Sequence, residues 1–240
     1  MSGSTLSELS DARAWLADSP WLRRFPADLR ERFLERTRLL PALDRGDRVY
    51  NMGDPPDGIY GVVSGCFAFE IAPQEEGPQL VHQYRAGSWF GELAHVLKQP
   101  RLATIYATQP SRCLRISGPE LNGLLRSDPR LWQQVALSLA DASRLAMTVI
   151  NDMMVRSPKR RLAACLLRVA GLRNDEPIDN SGVELDLTHA ALAAMTNCSR
   201  TTVAHYLKEL EGDGFIEYHY GRIRLTRIQS LRHWLQTLPN

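Results

Sequence analysis

The sequence predicts an α+β chain in three parts: an N-terminal β-barrel or roll, a long helix, and a C-terminal helix-turn-helix with a β-hairpin wing. Three observations predict it. Short extended runs alternate with Gly, Pro and Asp from Leu39 to about Ser117. Behind Asp128-Pro129, apolar residues recur at steps of three and four. From Leu187 to Leu210 two short helical patterns flank a turn.

Composition sets the outer limits. With 240 residues, 44% of them hydrophobic, the chain can bury two modest cores. A net charge of +2 is too mild to announce nucleic-acid binding, so that case rests on local pattern. The chain has no apolar run of about eighteen residues and no basic-then-apolar start, which predicts a cytoplasmic protein with no membrane partner. Cys66, Cys113, Cys165 and Cys198 lie far apart, as buried reduced thiols do. Their spacing suits neither a zinc ribbon nor a cysteine-held iron–sulfur cluster.

The elements follow in order. Residues 1–36 are predicted helical, with Trp15, Leu16, Trp21, Leu22, Leu29 and Phe33 interrupted by Pro20 and Pro26. Residues 37–127 form the roll, with strands at Arg48–Tyr50, Gly58–Val63, Cys66–Ile71, Gln79–Tyr84, Thr104–Ala107 and Arg112–Ile116 and a helical turn at Gly91–Leu97. Residues 128–157 form the long helix and a hinge. Asp128 caps it, Pro129 opens it, and Trp132, Val135, Leu139, Ala142, Ala146, Val149 and Met153 make a coiled-coil seam that predicts a homodimer. Leu131, Ala136, Leu145, Ile150 and Met154 widen the apolar face. Ser157-Pro158 breaks the helix, and residues 158–240 form the last domain, with a helix at Arg161–Ala170 and a surface loop at Asn174–Ser181.

The helix-turn-helix carries the chemistry. Thr188 caps a helix through Ala190, Leu192, Ala193 and Met195, and Thr196-Asn197-Cys198 turns the chain. Ser199 caps a second helix whose Val203, Leu207 and Leu210 face inward, leaving Arg200, Thr201, Ala204, His205 and Lys208 outside. An arginine at the start of such a helix can fork onto the N7 and O6 acceptors of guanine, while Thr201 and His205 offer weaker contacts. Phe215–His219 and Ile223–Thr226 then form a hairpin, with Arg222 and Arg224 near its tip. The predicted DNA-binding set is Thr188, Ser199, Arg200, Thr201, His205, Lys208, Arg222 and Arg224.

Four segments carry a family resemblance over roughly residues 25–230: Gly53-Asp-Pro-Pro-Asp-Gly-Ile-Tyr-Gly-Val-Val-Ser-Gly65, Gly87-Ser-Trp-Phe-Gly-Glu-Leu-Ala94, Arg156-Ser-Pro-Lys-Arg-Arg-Leu-Ala163 and Asn197-Cys-Ser-Arg-Thr-Thr-Val203. In this order they resemble the cyclic-AMP receptor protein and fumarate-nitrate regulator family, CRP/FNR. The resemblance implies a bacterial transcription regulator: a double-stranded β-helix, the cyclic-nucleotide-binding-like roll, senses an effector, and a dimeric winged helix binds palindromic double-stranded DNA. RNA polymerase is a further implied partner. It places the effector site at Gly91, Glu92 and Leu93, where the family's glutamate holds a ribose hydroxyl, and at Arg101, which would neutralise a cyclic phosphate. Arg200 matches the family arginine that reads guanine, whereas Thr201 and His205 stand where the cyclic-AMP sensor has glutamate and arginine.

The departures speak against cyclic AMP. The segment from Glu92 to Arg101 is one residue short, Leu102 replaces a hydroxyl residue, and Ala146 and Met147 stand where paired hydroxyls contact adenine. Each unpaired donor would cost about 1–3 kcal/mol. An unidentified small effector is the expectation, with a cyclic-AMP-responsive regulator as the alternative. The N-terminus lacks the cysteine cluster of the iron–sulfur branch. The haem branch stays open through His82 or His95. A competing enzyme reading, a cupin metal site from His82, Glu92 and His95, lacks the usual His-x-His pair, so no enzyme activity is expected.

Overall fold

The computed structural model describes residues 2–72, 77–173, 183–219 and 221–237. The loop expected at Asn174–Ser181 lies outside the described residues, as does Tyr220 in the wing turn. The chain divides into two compact units, Met1–Pro78 with His82–Ser143, and Gln79–Val81 with Arg144–Asn240.

The first unit opens with α1 (Ser2–Ala17), a 3-10 turn (Leu22–Arg24) and α2 (Ala27–Glu35). The roll follows: β1 (Thr37–Leu39), β2 (Arg48–Tyr50), β3 (Gly58–Ser64), β4 (Cys66–Ile71), β5 (Gln79–Arg85), β6 (Trp89–Phe90), α3 (Glu92–Leu97), β7 (Thr104–Ala107) and β8 (Arg112–Ser117). Two four-stranded sheets run β1-β8-β3-β6 and β2-β7-β4-β5. The six expected strands and the helical turn are present. Beyond them stand β1 and β6, three and two residues long, too short to show a period of two. Then comes α4 (Gly118–Ser127), whose Leu121, Leu124 and Leu125 are buried and whose Glu120 N–H donates to the Ser117 hydroxyl.

The N-terminal helices close the roll. Leu16, Trp21, Leu22, Phe25, Leu29 and Phe33 bury against Ile59, Trp89, Leu114 and Ile116. Trp21 Nε1 donates to the Gln134 carbonyl at 2.8 Å, fixing the start of α5 (Arg130–Met154) onto this core. Asp128 accepts the Arg130 N–H and pairs with the Arg130 and Arg32 guanidinium groups, which is the cap the sequence predicts. Trp15, by contrast, is half exposed.

The predicted seam needs a correction at Val135 and Leu139. Val135 is 1% exposed and Leu131 fully buried, both in the roll's own core, and Leu139 packs on the same cluster. The exposed apolar residues of α5 are Trp132, Ala136, Ala140, Ala146, Met147, Ile150 and Met154. Of the predicted seam, Val135 and Leu139 are thus taken by the roll, Trp132 and Ala146 are exposed, and Ala142, Val149 and Met153 are partly exposed.

The second unit contains α6 (Pro158–Val169), β9 (Val183–Asp186), α7 (His189–Thr196), α8 (Arg200–Gly212), β10 (Ile216–His219), β11 (Arg222–Leu225) and α9 (Ile228–Thr237). Ser157 caps α6 with Pro158 in its first turn, so this proline starts a helix three residues after α5 has ended. Leu162 to Leu167 are all buried, and α7, α8, α9 and the wing pack around them. The wing is a three-stranded sheet, β10-β11-β9, rather than a lone hairpin. Burial pushes the Cys113 and Cys165 thiols up to about 12 and about 11, and Cys66 is buried too, whereas Cys198 is partly exposed.

Gly65 joins β3 to β4 at φ +81°, and a Cβ there would clash with Ser111 Oγ and stand 2.6 Å from the Pro110 carbonyl oxygen. Ser111 Oγ also accepts the Cys66 N–H. Gly65→Ala should destabilise the roll by about 2 kcal/mol or more through strain and overpacking, read as a lower urea midpoint; an unchanged midpoint would refute this account.

Candidate nucleic-acid interface and roll interior

The helix-turn-helix is built by two caps and one left-handed residue. The Ala191 N–H donates to Thr188 Oγ1 at 3.1 Å and the Thr202 N–H to Ser199 Oγ at 3.0 Å. Asn197, at φ +48°, reverses the chain between α7 and α8, a conformation that asparagine tolerates better than most residues. The Thr188 and Ser199 hydroxyls are thus engaged in shaping the motif. Val203, Leu207 and Leu210 are buried, and Arg200, Thr201, His205 and Lys208 are exposed along one face of α8.

The cations on this side differ in their partners. Arg200 and Lys208 make no ion pair among the described residues. His205 Nε2 lies 2.9 Å from Glu209, whose other oxygen holds Lys159 at 2.8 Å. On the wing, Arg222 pairs with Glu184 of β9 at 3.2 Å and Arg224 lies 3.8 Å from Glu217 of β10. Sequence reasoning missed these carboxylates because their strand register was needed to find them.

Within the roll, Gly91 stands at φ +101° before α3, and a Cβ there would press on Arg101 Nη1 and the Gly58 carbonyl oxygen. Arg101 is 2% exposed. Its Nη1 donates to the Gly91 carbonyl (2.7 Å), and its Nη2 to Asp57 Oδ1 (2.7 Å) and the Gly58 carbonyl (2.9 Å). The guanidinium carbon sits 4.1 Å above the Tyr50 ring. Asp57 also accepts from Tyr60 Oη and Arg115. Partial burial opposes its charge, but the Tyr60 and Arg101 hydrogen bonds prevail and hold the carboxyl below its ordinary range.

Glu92 feels the charge of Arg101 and also meets α5. It is buried, and Ser138 is its side-chain hydrogen-bond partner, with Oε2 unpaired among the described residues. Ser138 lies eight residues before Ala146 on α5. Ala146, Met147, Leu93 and Leu102 are all exposed. Aromatic rings fill the roll between these groups: Phe90 stacks on Tyr60 and Tyr84 at 5.5 and 5.1 Å, and Phe67 and Tyr50 close the cluster.

The histidines have other neighbours. His82 packs edge-on against Tyr84, and His95 Nε2 bonds to Asn122 Oδ1 at 3.1 Å. Among the described residues His82, Glu92 and His95 form no metal-holding group, and no helix is long and apolar enough to cross a membrane.

Comparison with known proteins adds the family. Residues 41–128 match the cyclic nucleotide-binding domain and residues 160–234 the Crp-like helix-turn-helix domain. The transcriptional regulator SdrP of Thermus thermophilus is 29% identical over 181 residues, 74% of this chain and 84% of that protein. The cAMP-activated global transcriptional regulator CRP of Escherichia coli is 25% identical over 171 residues, 70% of this chain and 80% of that one. The solved structure of a CRP/FNR-family transcriptional regulator from Thermus thermophilus superposes with a TM-score of 0.63 at 26% identity, covering 83% of this chain and 99% of that one.

The two carboxyl groups flanking the cassette, buried Glu92 and half-buried Asp57, titrate in opposite senses. Burial pushes the Glu92 carboxyl above its ordinary 4.5, so the stability it contributes is complete below that value and lost as pH rises through its folded pKa. Asp57 is depressed, so its contribution is complete above 3.8 and lost as pH falls. Glu92→Gln should therefore raise the roll's thermal midpoint at neutral pH, whereas Asp57→Asn should lower it there and flatten the acid limb, both followed by tryptophan fluorescence. A lower midpoint in Glu92→Gln at neutral pH would show that the carboxylate is charged and paired.

Proposed function

This chain belongs to the CRP/FNR family of transcriptional regulators, and from that premise we propose that it acts in the cytoplasm as a homodimer reading palindromic DNA through α8, under an effector other than cyclic AMP. The observation that carries the DNA reading is the division of α8 into a buried row, Val203, Leu207 and Leu210, and an exposed row, Arg200, Thr201, His205 and Lys208. Arg200, at the first turn and without an ion pair among the described residues, is the base reader. Arg222 and Arg224 are phosphate holders. Their carboxylate partners are exposed, and such pairs contribute only about 0–1 kcal/mol, so a phosphate can replace them.

The exposed stripe of α5 supports the dimer. Trp132, Met147, Ile150 and Met154 are each about half exposed or more, and a helix exposing this much apolar surface gains by covering it with its symmetry mate.

The roll supports an effector other than cyclic AMP. A phosphate arriving at Arg101 would meet a guanidinium already neutralised by Asp57 and bonded to two carbonyls, and aromatic rings occupy the adjoining interior. The Escherichia coli relative is cAMP-activated, and the family resemblance puts the cassette's glutamate and arginine at Glu92 and Arg101. Their geometry here is that of structural partners. Contact with RNA polymerase belongs to the same reading, on a surface not assigned to particular residues.

Selection of bound sequences from random DNA tests the proposal, and a palindromic consensus is the expected result. Arg200→Ala should then cost about 1–3 kcal/mol per half-site on that consensus and relax preference at one base pair, with little change on scrambled DNA; equal weakening of both would remove Arg200 as the reader. Ile150→Asp should convert the protein to a folded monomer in sedimentation and abolish high-affinity binding, because the cost of burying a carboxylate recurs across a two-fold. Calorimetry with cyclic AMP should show no micromolar binding that tightens DNA affinity.

A further inference from the structure

Arg161, on the first turn of α6, is bonded at both ends of the path to the recognition helix. Its Nη1 donates to the Val155 carbonyl at 2.8 Å, in the segment that leaves α5. Its Nε donates to the Thr196 carbonyl at 2.7 Å, where α7 ends, and its Nη2 lies 3.5 Å from Cys198 Sγ. Thr196 is fully buried, and its hydroxyl is occupied by the Leu192 carbonyl.

We propose that Arg161 is a positioning residue for DNA recognition, setting the turn between α7 and α8, and with it Arg200 and Thr201, relative to the backbone that leaves the long helix. The proposal rests on the reading of α8 as the recognition helix. The carbonyls at a helix C-terminus lack intrahelical donors, and a guanidinium supplies them in two directions from one rigid plane. A lysine ammonium can satisfy one carbonyl, but its flexible stem cannot hold two at a fixed separation. The neighbouring arginines of α6 serve other ends: Arg160 bonds to the Leu235 carbonyl in α9, and Arg168 pairs with Asp152 in α5. Arg161 is therefore the side chain of α6 through which a displacement of Val155 reaches the turn before Ser199. Base contacts depend on where α8 begins, whereas attraction to phosphates tolerates small shifts.

The test uses the full-length protein with Arg161→Lys and Arg161→Gln, titrated against the duplex recovered by selection and a scrambled duplex of equal length, over a range of salt. The selected-to-scrambled affinity ratio should fall about tenfold in both variants, with scrambled-duplex affinity and salt slope within about twofold of wild type. Recovery of the full ratio by lysine would mean that the charge alone matters and would overturn the proposal, as would an unchanged ratio in glutamine. A wild-type protein that prefers no duplex would overturn the reading of α8 and this proposal with it. Should neither variant fold, Val155→Gly leaves Arg161 in place and loosens the carbonyl it holds. Amide exchange should then quicken at Cys198–Val203 relative to Leu207–Leu210, and unchanged exchange there overturns the coupling.

Discussion

A guanidinium taken out of water has to be paired, and the roll's cassette is arranged around meeting that demand at Arg101. Its partners come from segments far apart in sequence: Asp57 and Gly58 at the start of β3, Gly91 before α3, and the Tyr50 ring at the end of β2. The backbone is tied to the same place, with Arg101 N–H donating to the Asp54 carbonyl and Gly53 N–H to the Arg101 carbonyl. Gly91 has no Cβ because one would press on the guanidinium. A ligand anion bound to this guanidinium would compete with the Asp57 carboxylate and with the turn that carries it.

How much of this was legible in the sequence follows from the range of each signal. The helix-turn-helix could be read residue by residue, because Thr188, Ser199 and the Val203, Leu207, Leu210 stripe are local signals that tertiary context reinforces. The roll's strands could be located for the same reason. The Asp57–Arg101 pair could not, since 43 residues separate the partners' segments at Gly58 and Arg101 and only the sheet register brings them together. β9 and α9 were missed differently: one adds a four-residue strand across a long connection, the other lies beyond the hairpin at which the motif ends.

In the long helix one three-four pattern joins residues of two faces: Val135 and Leu139 pack on the roll, whereas Trp132 and Ala146 are exposed. The steps of three and four from Trp132 to Met153 are present, and they do mark an apolar side. A helix that packs on its own domain and also meets a partner needs two stripes, and periodicity alone does not say which is which. Trp21, donating to the Gln134 carbonyl, and the aromatic cluster around it decide the matter by claiming Leu131 and Val135 for the roll. What remains outside, including the exposed Met147 and Ile150, shares its helix with Ser138, the partner of Glu92. One helix thus carries both the cassette's partner and the exposed stripe.

The reading surface divides its charges in a way that bears on selectivity. His205, Arg222 and Arg224 each have a carboxylate nearby, so contact with DNA exchanges one anion for another and the net gain is reduced. Arg200 and Lys208 make no such exchange among the described residues. On the proposed reading, sequence-independent attraction is weakened at the wing, while Arg200 stands at the first turn of α8, the part of a recognition helix that reaches base edges. With a net charge of only +2, a larger share of the discrimination must come from correct seating of that turn than from bulk attraction to the duplex. If α8 reads DNA as proposed, the geometry that fixes its turn, two caps, a left-handed Asn197 and the Arg161 fork, would matter more to selectivity than added positive charge.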